Sequence, residues 1–420
     1  MRVLIVNTSE RTGGAAIAAN RLMEALKNNG VKAKMLVRDK ETEQITVATI
    51  PQSPMLKAKF VWERMVIWSA NHFSKNNLFQ IDLANTGTDI TSLPEFKEAD
   101  VIHLHWINQG YLSLKNIRRI IDSGKPIVWT MHDMWPFTGI CHYSGACTNY
   151  RTSCHHCPLL VSGGGRNDIS NQIFKRKQQM LRGAHITFVA CSKWLEEMAK
   201  SSALLIGQRV TSVPNTINAN VFRPTDRRQT RLQYNLPLEK KLLLFGSVKA
   251  TDKRKGLDYL IEACKILHDK EPELSEQLGL ILVGKQAEQM RDSFPFPVYA
   301  IDYVDHERRM AQLYNAADAY VTPSLEDNLP NTIVEALSCG IPCVGFRIGG
   351  IPEMIDHEIN GYLAQPRDAA DLATGINYVL RPELSETLSQ QALKKALSAY
   401  GETNVANKYL HLYQQAIDRK

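Results

Sequence analysis

The sequence has few of the features that mark membrane-spanning, secreted or nucleic-acid-binding proteins. None of its apolar runs approaches the ~18 residues of a transmembrane helix. Its start reads as a strand and a polar loop, without the apolar core and cleavage site of a signal peptide, which favours a cytoplasmic protein. Lys and Arg total 50 against 43 Asp and Glu, with no dense basic run, so we expect no nucleic-acid partner. The net charge of +7 suits anionic ligands or an acidic membrane face.

Cysteine is scarce, with 8 in 420 residues, but it is unevenly distributed. Cys141, Cys147, Cys154 and Cys157 lie close together, and the last two have the two-residue separation that lets both thiolates bind one tetrahedral metal ion. Because a reducing cytoplasm disfavours disulfides, we expect a structural zinc held by all four thiolates. The alternative is a set of reduced, partly buried thiols.

Length and composition predict two globular domains. The chain has 420 residues, of which 44% are hydrophobic and 22% charged, an ordinary globular balance. Apolar runs typical of buried strands alternate with helical patterns along both halves, which predicts α/β domains with parallel sheets.

Polar residues and glycines follow several of the predicted strands. Gly13 and Gly14 come after the first strand and before a helix, where glycine lets the backbone approach a phosphate or a sugar closely. A glycine pair alone is usually a turn, and the full dinucleotide fingerprint is absent here. His105 and His132 end two further strands, so a parallel sheet would bring them to one crevice. A single histidine in such a place is more often structural.

Residues 54–79 mix apolar and aromatic residues with lysine and arginine. Trp62 and Trp68 on one side and Arg64 on the other are typical of a helix that lies in a membrane interface. The plainer reading is a surface helix packed on its own domain. Peripheral membrane contact is therefore a hypothesis.

A polar loop around Asp327 carries the strongest functional signal. Residues 319–321 predict a buried strand before it, and residues 331–338 a short helix after it. At a strand's carboxyl end and before a helix N-terminus, free N–H groups and the helix dipole favour a diphosphate. Glu335 is then placed to accept hydrogen bonds from ribose hydroxyls, and Asp327 to address a second group of that ligand. The plain alternative is a loop, a short helix and two solvated acids.

A run of cations follows the predicted strand at residues 242–247 and includes Lys249 and Lys255. Charge runs are usually solvated surface. Because this one follows a strand and precedes a helix, its cations are expected to point into the same crevice as the Asp327 loop. Two cations held beside a departing diphosphate would stabilise it without reorganising.

Taken together, these segments resemble family 4 of the retaining glycosyltransferases. The resemblance lies in the acid, seven residues and Glu from Asp327 to Glu335, the Cys-Gly-Ile-Pro at 339–342, the Gly-Gly-Ile-Pro-Glu at 349–353 and the Thr-x-His-Asp at 130–133. Residues 130–158 as a whole look like the branch found in bacterial exopolysaccharide and colanic-acid-type gene sets.

The resemblance implies the fold and the domain limits. The expected fold is α/β of the GT-B type, with two Rossmann-like parallel-sheet domains facing across a cleft and a C-terminal helix crossing back to the N-terminal domain. Residues 215–224 resemble the interdomain linker. Residues 1–218 would form the acceptor-side domain, residues 219–403 the nucleotide-sugar domain and residues 404–420 the returning helix.

The resemblance also implies roles for individual residues. Lys255 and Lys249 would stabilise the leaving diphosphate, with Lys249 standing where the family has arginine. Glu335 would hold the ribose, while Asp327 stands where the family usually has glutamate and Glu326 lies one place earlier. No cofactor is expected for catalysis, because cations and helix termini supply positive potential. The other residues implied at the donor or acceptor are Gly13, Gly14, His132 at the donor sugar, Tyr303 near the base, Asn328, Leu329 and Pro330.

The expected activity is transfer of a sugar from a UDP- or GDP-linked donor to a glycan or lipid-linked acceptor in the synthesis of surface polysaccharide or lipopolysaccharide. The resemblance implies a front-face retaining mechanism, at work in the cytoplasm or at the inner face of the plasma membrane. Two alternatives stay open. One is a nucleotide-sugar epimerase, and the other is a non-catalytic subunit of a polysaccharide-assembly complex that keeps the GT-B fold.

Overall fold

The computed structural model describes residues 1–419, which fold into two compact units. The first contains Met1–Asn215 and the chain from Val405 onward, and the second contains Thr216–Asn404. Sequence reasoning put the boundaries after residues 218 and 403. Each unit is an α/β layer structure with one parallel sheet, as predicted.

The first unit is built on a seven-stranded sheet in which every neighbouring pair of strands is parallel. Its strand order is β3-β2-β1-β4-β5-β6-β7. The strands are β1 Arg2–Ser9, β2 Lys32–Asp39, β3 Val47–Thr49, β4 Val101–Leu104, β5 Ile127–Met131, β6 Ile186–Ala190 and β7 Arg209–Ser212.

Helices cover both faces of this sheet, which explains why the strands β4, β5 and β6 are buried along their whole length. Along β1, Leu4 and Val6 pack into the core on one face, and Val3 and Ile5 into the core on the other. The helices before the second unit are α1 Gly14–Asn28, α2 Pro54–Ala70, α3 Pro94–Glu98, α4 Leu114–Asp122, α5 Ile169–Leu181 and α6 Lys193–Lys200.

The second unit has six strands in the order β10-β9-β8-β11-β12-β13, again all parallel. The strands are β8 Lys241–Lys249, β9 Leu278–Lys285, β10 Val298–Ile301, β11 Ala319–Thr322, β12 Cys343–Phe346 and β13 Gly361–Ala364. The helices are α7 Arg227–Gln233, α8 Leu257–Lys270, α9 Pro272–Gln277, α10 Glu307–Ala316, α11 Asn331–Ser338, α12 Ile351–Met354, α13 Ala369–Val379 and α14 Ser385–Tyr400.

A final helix, α15 Glu402–Asp418, belongs from Val405 onward to the first unit. Burying apolar side chains such as Val405 and Leu412 stabilises this packing by roughly 1.5–3 kcal/mol each. Its two buried tyrosines are also hydrogen-bonded. The Tyr413 hydroxyl lies 2.8 Å from Nδ1 of His103, and the Tyr409 hydroxyl lies 2.8 Å from Oγ1 of Thr130.

The strand orders place one topological switch point in each sheet, between β1 and β4 and between β8 and β11. Ligands of open α/β sheets bind outside the carboxyl ends of the strands at such a point. In the first unit the loops there begin after Ser9 and Leu104, and in the second after Lys249 and Thr322. These loops contain several of the polar residues singled out from the sequence.

Helix α2 differs from the sequence prediction in length and in orientation. It ends at Ala70, and His72 and Phe73 just beyond it have positive φ angles that no helix continues through. Arg64 was expected on a solvent- or lipid-facing side, but it is buried. None of the helices in residues 1–419 combines the length and hydropathy needed to cross a membrane.

Candidate active site

Two loops meet at the switch point of the second unit. The first, after β8, is a single turn of 3-10 helix at Lys253–Lys255, and the Asp252 side chain caps it by accepting a hydrogen bond from the Arg254 N–H at 3.0 Å. The second runs from Pro323 to Pro330 between β11 and α11. Residues about seventy positions apart in sequence are thereby brought together.

Three contacts join these loops. The Leu325 N–H donates to the Arg254 carbonyl at 2.8 Å, and the Arg254 guanidinium donates to the Glu326 carbonyl at 3.2 Å. The Lys255 ammonium lies 2.6 Å from Oδ2 of Asp327 in a partly buried ion pair. Lys255 and Asp327, both predicted for the site, are therefore in direct contact.

Two glycines allow this close approach. Gly256 has φ +72°, and a Cβ there would lie 1.9 Å from the Pro323 carbonyl oxygen. Gly349 has φ +52°, and a Cβ there would lie 1.8 Å from the Asp327 carbonyl oxygen. Because no side chain fits in either place, glycine is required on both sides of the acidic loop.

Glu335 lies in the second turn of α11 and is 6% exposed. Its Oε2 accepts a hydrogen bond from the Tyr314 hydroxyl at 2.9 Å. Burial, followed by the Glu335 charge, raises the pKa of Tyr314, so that hydroxyl stays a donor. Glu335 is thus held by the core of the second unit and has a fixed position relative to the loop before α11.

The other residues predicted here differ in exposure. Asn328, Leu329 and Pro330 are buried, and the Asn328 N–H donates to Oδ1 of Asp327 at 3.1 Å. Lys249 is exposed at the end of β8. Tyr303 is a partly exposed residue just after β10, and the Lys285 ammonium lies 5.8 Å from the centre of its ring.

The glycine loop of the first unit is organised by a residue that sequence reasoning missed. Gly13, with φ +94°, precedes α1, and Gly14 is the first residue of that helix. The Glu41 carboxylate accepts hydrogen bonds from the N–H groups of Arg11 and Thr12 at 3.2 and 3.0 Å. Glu41 therefore holds the start of the loop that leads to Gly13 and Gly14.

Three residues that directly follow adjacent strands form a hydrogen-bonded row. His105 follows β4, His132 follows β5 and Cys191 follows β6. Nδ1 of His105 lies 2.9 Å from Nε2 of His132, whose Nδ1 lies 3.5 Å from the Cys191 sulfur. Burial lowers the pKa of His132 to about 4 and also lowers that of His105, so both rings are neutral near pH 7.

A buried ionic network lies beside this row. His142 bridges Asp133 and Asp82, with each of its ring nitrogens 2.7 Å from a carboxylate oxygen. Burial alone would lower the pKa of His142, but the two carboxylates raise it to about 10. Asp82 also accepts a hydrogen bond from Arg64, which connects the network to α2. The partners are far apart in sequence, so no local pattern could have revealed them.

The four clustered cysteines line one cavity of about 20 Å³. All four are free thiols, and burial raises the pKa of Cys141 and Cys154 to about 12. Within residues 1–419, no three His, Cys, Asp or Glu side chains are already arranged to hold a metal ion. Zinc therefore stays a prediction.

Comparison with known proteins gives a coarse family assignment for part of the chain. Residues 239–381 match the family described as Glycosyl transferases group 1. A D-inositol 3-phosphate glycosyltransferase of Thermobispora bispora is 26% identical over 50% of this chain and 52% of its own length. A putative colanic acid biosynthesis glycosyl transferase of Escherichia coli K12 is 23% identical over 75% of this chain and 76% of its own length. The match thus spans about half the length of the first relative and three quarters of the second.

Solved structures extend the likeness to the whole fold. Sucrose-phosphate synthase from Thermosynechococcus elongatus superposes with a TM-score of 0.68 over 100% of both chains at 17% identity. HepE of Anabaena, solved in complex with UDP, gives a TM-score of 0.65 over 99% of this chain and 100% of its own at 17% identity. The lipopolysaccharide glycosyltransferase WaaG gives 0.61 over 98% and 99% at 13% identity. The fold is therefore GT-B, as predicted from the resemblance.

Proposed function

We propose that this chain is a retaining glycosyltransferase of group 1, which moves a sugar from a nucleotide-diphosphate donor to a hydroxyl of a glycan or lipid-linked acceptor. The donor is expected to carry UDP or GDP, and the product to enter surface polysaccharide or lipopolysaccharide. HepE, which has the same fold, was solved with UDP and with UDP-glucose, and this supports a nucleotide-sugar donor. The Escherichia coli relative supports the polysaccharide context.

The observation that carries the proposal is the joined pair of loops at the β8–β11 switch point, within the family-matched residues 239–381. Lys255 contributes a cation there, and the start of α11 contributes the positive end of a helix dipole. A diphosphate is the ligand that both favour. Glu335, one turn into α11, would take the ribose hydroxyls.

The proposed chemistry needs little from the protein beyond positioning and charge. The bond between the sugar's anomeric carbon and the diphosphate oxygen breaks, and the acceptor oxygen bonds to that carbon on the same face. The acceptor proton passes to the departing diphosphate. Lys255 and Lys249 would stabilise its growing negative charge, and Asp327, Asn328 and Leu329 would orient the sugar.

On the first unit we propose that neutral His132 acts as a hydrogen-bonding partner of a sugar hydroxyl. Its pKa is lowered to about 4, so it carries no positive charge near pH 7. The contact with His105 fixes its ring.

Nucleotide binding is the most direct test. One of UDP, GDP, ADP and their common sugars should raise the melting temperature of the purified protein. A ligand at a hundred times its dissociation constant adds ~2.7 kcal/mol to the folded state. At ~2–4 °C per kcal/mol this is a shift of roughly 5–11 °C, measurable by differential scanning fluorimetry.

A variant links that shift to the proposed site. Glu335→Gln keeps the size and the acceptor for Tyr314 but removes the charge, and it should reduce the shift. Glu288→Gln, at an exposed surface position, is the control and should leave the shift unchanged. No shift with any nucleotide in folded protein would instead favour the non-catalytic assembly subunit. Binding followed by release of a rearranged sugar without an acceptor would favour the epimerase.

We further propose that the outer face of α2 contacts the inner leaflet where a lipid-linked acceptor resides. Val61, Trp62, Met65 and Trp68 are exposed on this face, and Trp62 is 55% exposed. The opposite, buried face instead holds the ion pair of Arg64 with Asp82. Exposed lysines of the helix, such as Lys57, complement anionic lipid.

Vesicle binding tests this contact. Changing Trp62, Met65 and Trp68 together to serine should lower co-sedimentation with anionic vesicles by roughly tenfold, because apolar area no longer enters the interface. Arg64 is left intact, since its loss would disturb the buried network. Ile45→Ser is the matched control, because Ile45 is 95% exposed but lies away from α2. Unchanged binding of the triple variant would remove α2 from the membrane contact.

A further inference from the structure

The segment that follows β5 contains a small cavity with an unusual lining. Its lining includes Cys141, Cys147, Cys154 and Cys157, together with His155. Its volume is about 20 Å³. A water-sized atom needs roughly 10–15 Å³, so the cavity has room for one such atom.

A second observation points to a ligand at the same place. Nδ1 of His155 is buried and, within residues 1–419, has no hydrogen-bond partner. Buried polar atoms in native proteins are almost always satisfied, so an orphan of this kind calls for an explanation. An ion bound by the four sulfurs would supply one through the reordering of the Cys154–Cys157 turn that carries the ring.

The backbone around the cysteines already offers hydrogen bonds suited to thiolates. The Gly139 N–H donates to the Cys154 sulfur at 3.2 Å. Near Cys157, the backbone N–H groups of Leu159 and Leu160 act to lower the pKa of its thiol, although burial raises that pKa overall. Donors of this kind stabilise the charged form of a sulfur ligand. The turn itself is held in place by Asp168, whose carboxylate accepts from the N–H groups of Cys157 and Gly165.

A buried cation completes the electrostatic argument. Lys177 of α5 is fully buried, and its ammonium donates to the carbonyls of Trp135 and Thr138 at 2.5 and 3.0 Å. These acceptors are neutral, and a buried ammonium is costly without nearby anions, of which the Asp133 and Asp82 carboxylates supply part. Its field reaches Cys141 and Cys154. A divalent ion with four thiolates carries two net negative charges and would compensate this lysine.

We propose that Cys141, Cys147, Cys154 and Cys157 bind a structural zinc ion. Borderline-soft Zn²⁺ prefers thiolates, and four of them close the coordination shell, so the site is structural and not catalytic. In the present arrangement the thiols are not gathered tightly enough to hold the ion. Rotation about each cysteine χ1 moves the sulfur without moving the backbone, and zinc binding is expected to draw the sulfurs inward.

Zinc at this place would fasten residues 139–157 to one another. His142 lies within that segment, and it holds Asp133, the neighbour of His132, through a 2.7 Å hydrogen bond. The metal would thereby support the polar end of β5 without touching a substrate. The inference is independent of the proposed activity, since its readout is metal content.

The test measures zinc in the full-length wild-type protein purified without chelator or affinity metal. Mass spectrometry should find about one zinc per chain, and mercurial titration should release it as four thiols react. Chelation should lower the melting temperature by roughly 5–15 °C. After cobalt replacement, a sulfur-to-metal charge-transfer band should appear. These measurements need no variant.

Variants identify the ligands. Cys141→Ser, Cys147→Ser, Cys154→Ser and Cys157→Ser should each lower zinc content at least several-fold, whereas Cys264→Ser, a buried cysteine of α8, should not. Wild-type protein that neither contains nor takes up zinc overturns the proposal, as does a mass showing two disulfides in place of the thiols. The proposal is also overturned if Cys147→Ser keeps its full zinc content while His155→Ala loses zinc. That result would make the His155 ring nitrogen the fourth ligand in place of the Cys147 thiolate.

Discussion

Replacing Lys255 with alanine should lower the rate of sugar transfer by roughly 10²–10³-fold. Removal of one preorganised group that stabilises charge developing in the transition state has an effect of this size. The ammonium is positioned for that role by the 2.6 Å contact with Asp327 and by the turn at Lys253–Lys255. Because charge on the diphosphate grows during bond breaking, kcat should fall more than KM rises.

The neighbouring residues provide the controls. Lys253→Ala removes an exposed cation from the same turn and should leave the rate within about threefold. Lys255→Arg keeps the charge and should recover part of the activity. Circular dichroism and the melting temperature check that the variants fold, since Asp327 loses its partner in Lys255→Ala. Wild-type-like turnover in folded Lys255→Ala would remove this lysine from the mechanism.

The protein should lose stability steeply as the pH falls below about 6.5. Burial lowers the pKa of His103 to about 3 and of His132 to about 4, and it lowers that of His105 as well. In the unfolded chain these rings titrate near 6.5. Between the two ranges the unfolded state binds more protons, so the contribution of these three rings to stability is fully present above pH 6.5 and decreases as the pH falls toward 4.

For His103 and His132 the expected size is about 1.4 kcal/mol per pH unit, or about 2 kcal/mol each at pH 5, and His105 adds to the loss in the same direction. Urea denaturation at pH 7.5, 6 and 5 measures it. His105→Phe should flatten the slope whatever its effect at neutral pH, whereas exposed His306→Gln should not change it. Equal slopes in the wild type and His105→Phe would show that burial does not hold this ring neutral.

Much of the scaffold could be predicted because it depends on short-range patterns. The apolar runs that became β8 and β11, and the helix that became α11, are readable from periodicity. Parallel strands then bring their carboxyl ends to one edge, so the loops carrying Lys255 and Asp327 had to lie near each other. The ion pair between Lys255 and Asp327 follows from this topology and from the close approach of the two loops that Gly256 permits.

What could not be predicted depends on partners distant in sequence. Arg254 lay within the cation run but was not assigned a role, because its contact with Glu326 exists only after folding. Glu41, which follows β2, accepts a hydrogen bond from the Thr12 N–H at the start of the glycine loop. An amphipathic helix ordinarily buries its apolar residues and exposes its charged ones. Helix α2 does the reverse at two positions, because Arg64 is buried against Asp82 and Trp62 is exposed.

The return of α15 to the first unit affects the order in which the protein can mature on the ribosome. The hydroxyls of Tyr409 and Tyr413 complete the hydrogen bonds of Thr130 and His103. Residues 216–404 are translated before them, which takes about 10–40 s at ~5–20 residues per second. Throughout that interval the apolar side chains that α15 will cover are exposed, and His103 and Thr130 lack their tyrosine partners. The second unit, by contrast, is a continuous segment and can finish folding first.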